Sequence, residues 1–162
     1  MDTLFLLLKA IETSDLAVIL RKSLWLYPIV NTAHVLGVAL LVGAITTLDL
    51  RLIGLWRSIP TAHLARPIVA VAATGTVLAF ATGALLFISR ASRYAENPFL
   101  QIKLALIVLA LANLVALHRS DAWHAVGLGI EDRYRVRLMA AGFLSILLWV
   151  STLIAGRMIA YY

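Results

Sequence analysis

Residues 24–48, LWLYPIVNTAHVLGVALLVGAITTL, contain no acidic residue, lysine or arginine. At 1.5 Å per residue such a run extends about 37 Å as a helix, beyond the ~30 Å hydrocarbon core of a bilayer. In lipid every backbone polar group must bond within its own segment, so a helix is the expected form. Three further runs follow: Pro67 to Ser89, Phe99 to Leu117 with Lys103 as its one charge, and Leu138 to Gly156. Strand-like alternation is absent. The reading is an all-α integral membrane four-helix bundle in one domain, with transmembrane helices over about 24–55, 62–90, 98–118 and 135–160.

Composition points the same way. Of 162 residues, 62% are hydrophobic and 14% charged, and mean hydropathy is +0.95. Soluble domains carry about 25% charge, and disorder needs low hydrophobicity, so both classes are excluded. The net charge of +6 sits where basic residues bound apolar runs, which is membrane topology. Nucleic acid is therefore not expected as a partner, and the lipid bilayer is. There is no cysteine, which removes disulfides, thiolate metal sites and thiol catalysis.

The N-terminal segment, about 2–22, is expected as an amphipathic interfacial helix. Leu4, Phe5, Leu8 and Ile11 recur at helical spacing, with Asp2, Lys9 and Glu12 around them, and Thr13-Ser14-Asp15 breaks and recaps the chain. Its acidic start and the lack of a small-residue cleavage site argue against a cleaved signal peptide. Trp25, Tyr27, Trp56, Tyr94, Tyr161 and Tyr162 fall near helix ends, as an interfacial aromatic belt does. Four spans put both termini on one side. That side holds Lys9, Arg21, Lys22, Arg90 and Arg93; the other holds Arg51, Arg57, Arg66, Arg119, Arg133, Arg135 and Arg137. The excess marks the cytoplasmic side and leaves the termini periplasmic.

Polar residues within membrane helices are costly and tend to be functional. Asn31, His34 and Asp49 fall along one face of the first span. Gly75, Thr82 and Ser89 form a small-residue stripe on the second, suited to close packing. Ser145, Trp149, Thr152 and Gly156 share a face of the fourth. By helical rise, His34 and Lys103 lie at similar depths, roughly 6 and 8 Å to the terminal side of the midplane, whereas His118 lies roughly 20 Å from His34 along the normal. Those two histidines therefore cannot clasp one haem iron between them. A single ligand at His34 remains, with a second metal site at His118 and Asp49. Lys103 and Arg157, near Asn31 and His34, favour an anionic guest such as porphyrin propionates, lipid phosphates or an anionic small molecule. The bland alternatives are a histidine that only bonds between helices, cations that reach for headgroups, and an Asp49–Arg51 boundary pair.

The run Ser23 to Gly37 and on through Asp49-Leu50-Arg51-Leu52-Ile53-Gly54, with Asn97-Pro98-Phe99, Lys103, Ser145 to Trp149 and Gly156-Arg157, resembles an uncharacterised bacterial family. Its members are four-helix inner-membrane proteins of about 160 residues, one domain in length. More distantly, His34 in the first helix and Lys103 early in a later one resemble HemJ-type protoporphyrinogen oxidases and the copper-resistance protein D group. That resemblance implies haem b on His34, with Lys103 as its charged partner; Asn31 and Arg157, which lie near them by helical position, complete the expected site. Three functions stay open at this point: haem- or porphyrin-linked redox, transport of or tolerance to a small solute or metal ion, and an accessory structural subunit. A homo-oligomer or larger membrane complex is the expected assembly.

Overall fold

A computed structural model describes residues 2–162 of the chain. The side chains of Asp2 and Leu4, expected on the N-terminal amphipathic helix, lie outside the described residues. The elements are α1 Asp2–Glu12, α2 Asp15–Lys22, α3 Leu26–Ile53, α4 Thr61–Ser89, α5 Ala91–Glu96, α6 Pro98–His118, α7 Asp121–Gly127, a 3-10 turn Glu131–Tyr134 and α8 Arg135–Met158. No strand occurs among the described residues. Four helices, α3, α4, α6 and α8, are long and apolar enough to cross a membrane.

Local chemistry sets the boundaries. Asn97 Oδ1 accepts from the Phe99 and Leu100 N–H groups, and Pro98 occupies the first position of α6, where its missing N–H costs nothing. Gly54, at φ +123°, ends α3 by placing its N–H on the Leu50 and Arg51 carbonyls. The N-terminal segment is two helices. Thr13 and Ser14 bond back to carbonyls of α1, and Ser14 caps α2 by accepting from Ala17 N–H. Ala17 and Leu20 are fully buried, so α2 is docked on the bundle rather than simply resting at its surface. Helices α5 and α7 occupy what the sequence reads as connections. Each is under eight residues, too short for a hydrophobic period to be visible.

The spans pack through heptad rows. On α4 the buried residues include Thr61, Ala65, Gly75, Ala79, Thr82 and Ser89; on α3 they include Val30, Gly37, Leu41 and Leu48. This 3.5-residue repeat is the pattern of left-handed, shallow crossings. The small-residue stripe of α4 is used as expected: a Cβ on Gly37 would stand 2.6 Å from Ala79 N, and one on Gly75 would stand 2.5 Å from Leu41 N. Backbone contacts run in the order α4–α3–α8–α6, and α4 and α6 nowhere approach within 8 Å, Cα to Cα. Trp149 of α8, with Leu41, Ala110 and Leu148, fills the centre. A second apolar cluster, Leu52, Leu117, Ala122, Val126 and Leu138, closes the end near α7. Val77, Val108 and Leu147 are each at least 64% exposed on the outer faces, where hydrocarbon is their natural solvent.

Candidate functional site

His34 sits in the α3–α4 seam, between Val30 and Gly37 on the heptad row. Its Nδ1 lies 3.0 Å from the Ala79 carbonyl oxygen and 3.2 Å from Thr82 Oγ1. A carbonyl only accepts, so Nδ1 carries the proton and donates. The Thr82 hydroxyl donates to the Leu78 carbonyl at 2.5 Å, which leaves its oxygen free to accept from His34. The neutral ring therefore carries its lone pair on Nε2. Gly83 makes room for the imidazole, since a Cβ there would stand 3.1 Å from Cε1.

Lys103 belongs to the inward row of α6, one heptad before Ala110 and two before Leu117. Half-buried, it directs Nζ across to α8, where a Cβ on Gly156 would stand 3.3 Å from it. Among the described residues Nζ has no hydrogen-bond or ion-pair partner. Its charge is close enough to bear on the His34 ring. The inward row, and not only the charge, distinguishes it from a cation reaching outward to headgroups.

The other two expected site residues face outward. Asn31 is exposed on α3, and Arg157 is exposed with its guanidinium donating to the Tyr161 hydroxyl at 2.9 Å and standing over that ring. Asn31, His34 and Asp49 do not form one polar stripe: the first is exposed, the second faces α4 and the third is buried against α8. Eighteen residues separate Asn31 from Asp49, and a heptad-packed helix drifts by ~20° per heptad, roughly 50° over that interval.

At the far end, Arg51 is buried and does not pair with Asp49. It donates to Glu131 Oε1 at 2.9 Å and to the Ile59 carbonyl at 2.8 Å, and Thr61 donates to the same carboxylate oxygen at 2.7 Å. The boundary pair expected from sequence spacing is replaced by a long-range one, because only the fold brings Glu131 under α3. His118 donates Nδ1–H to the Leu114 carbonyl and packs on Trp123, 4.3 Å between ring centres; no hydrogen bond joins it to Asp49. His63 and His124 are both exposed, on the first turn of α4 and on α7. No three His, Cys, Asp or Glu side chains converge as a metal centre among the described residues.

Sequence reasoning named Thr82 as packing, placed Gly156 on a shared face of the fourth span, and overlooked Gly83. Its signal was present: it falls one helical turn from the seam position Ala79, beside the His34 ring that it accommodates. The chain matches no family model, no curated protein and no solved structure. Fold and spans define it as an all-α, multi-pass membrane protein.

Proposed function

We propose that this is a haem- or porphyrin-binding redox protein of the bacterial inner membrane, with periplasmic termini and His34 as the axial ligand. One observation carries the reading: His34 gives its Nδ1 proton to the Ala79 carbonyl and keeps the Nε2 lone pair. Metal-bound histidines are held in this way, the second-shell acceptor fixing tautomer and ring orientation. Two further features support an anionic guest: Lys103 is a half-buried cation suited to a propionate, and α4 and α6 stand apart. Haem, when bound, would supply one-electron chemistry at its iron. The distant resemblance to HemJ-type oxidases and copper-resistance protein D adds to this reading.

The test is an absorption spectrum of detergent-purified protein from haem-replete cells, oxidised and then dithionite-reduced. A Soret band is expected in the wild type and absent in His34→Ala. Lys103→Met is expected to retain iron ligation but bind more weakly, by about tenfold for a lost charge contact of 1–2 kcal/mol. A wild type without the band, or a His34→Ala protein with an equal one, would sink the proposal.

A further inference from the structure

Asp49 lies near the opposite end of α3 from the His34–Lys103 pair and takes no part in that site. It is 6% exposed, and among the described residues its Oδ2 has no hydrogen-bond partner. Helix α8 passes close by: a Cβ on Gly142 would stand 3.0 Å from the Asp49 carbonyl oxygen. Ser145, one turn further along α8 and itself buried, brings a hydroxyl into the same layer as the carboxyl. Apolar clusters bound this layer on either side, one around Leu52 and Leu138, the other around Leu41 and Trp149.

No cation of the surrounding elements balances this carboxyl. On α3, Arg51 is committed to Glu131 and Ile59. Helix α8 has no ionisable residue between Arg137 and Arg157, and α4 has none between Arg66 and Arg90. On α6, His118 is turned to Leu114 and Trp123, and Lys103 reaches Gly156. On α7, His124 is bonded to the Ser120 carbonyl and Asp121 is exposed. A carboxylate in an apolar layer needs a counter-charge, and an ionisable residue at such depth is a functional candidate.

We propose that Asp49 and Ser145 form a binding site for a small monovalent cation, a proton or a sodium ion, between α3 and α8. A single carboxylate balances a single positive charge and would leave a divalent ion uncompensated. The donors are all hard oxygens, which excludes soft metals. Because only the folded interface assembles the pair, the cation stabilises the native state by mass action.

Thermal melting of the detergent-purified protein tests this, across pH, in choline chloride, potassium chloride and sodium chloride. In choline the wild-type Tm is expected to fall as pH rises. Recovery at high pH by sodium, but not potassium, identifies sodium as the occupant; no recovery by either salt identifies the proton. Asp49→Asn, which mimics the neutralised acid, is expected to melt no lower than the wild type and to lose both dependences. Ser145→Ala is expected to shift the midpoint pH or sodium concentration. Identical pH and salt responses in the wild type and Asp49→Asn overturn the proposal. Should Asp49→Asn fail to fold, an unchanged midpoint in Ser145→Ala does so.

Discussion

At the scale of single residues, polar side chains in this protein divide by which atom is left over once local bonds are made. Thr82 and His118 satisfy themselves on carbonyls within their own helices, whereas His34 keeps Nε2 and Lys103 keeps its whole ammonium. Glu12 shows the opposite case, at the interface. It accepts from the Ser92 hydroxyl at 2.5 Å and the Ser92 N–H at 3.1 Å, with Arg21 3.6 Å away. These donors hold its carboxyl below the ordinary value of 4.5. The stabilisation is thus fully present above pH 4.5 and is lost as pH falls through the lower folded value. The hydrogen-exchange protection of α1, taken relative to the intrinsic rate at each pH, is expected to fall on acidification in the wild type. In Glu12→Gln it is expected to be lower at neutral pH and to lack that acid dependence.

Between elements, the α3–α4 crossing sets the site. Gly37 and Gly75 let two backbones touch, and that approach delivers His34, one turn before Gly37, to Ala79 and Thr82. Gly37→Ala or Gly75→Ala would drive a methyl group into the backbone of the other helix at 2.6 or 2.5 Å. Overpacking of this kind costs about 1–3 kcal/mol. Gly43, on the same helix, has nothing within 4 Å of where its Cβ would stand. Chemical denaturation in detergent is expected to show both seam variants destabilised by about that amount, with Gly43→Ala neutral or slightly stabilising, in line with alanine's better helix propensity. Equal effects at the three positions would contradict the packing account.

For the whole molecule, four spans place the N-terminal helices, α5 and the C-terminus on one side, with the α3–α4 and α6–α8 connections on the other. The absence of native cysteine makes single-cysteine topology mapping direct. In right-side-out spheroplasts an impermeant maleimide is expected to label Tyr162→Cys, at the periplasmic C-terminus proposed here, and not Ser58→Cys. The reverse pattern would invert the orientation while leaving the fold intact.

How much was legible beforehand differs between fold and site. The four spans followed from run length, because hydrocarbon thickness fixes how many apolar residues a helix must supply. The start of α6 was readable to the residue, since Asn97-Pro98 is a local capping signal. The stripe Gly75–Thr82–Ser89 announced its packing role through its seven-residue spacing. His34 and Lys103 stood out because polar groups are rare in such runs. Sequence alone thus determined the class of protein, its spans and two of its chemical candidates.

Tertiary structure decided the rest. Only it turns Asn31 and Arg157 outward, pairs Arg51 with Glu131 instead of Asp49, and leaves Asp49 Oδ2 without a partner. Only it gives His34 the Ala79 carbonyl that selects its tautomer. The physical reason is common to all four. Helical period tells which residues share a face, but the partner of each face depends on which helices pack together and on a supercoil drift that accumulates along them.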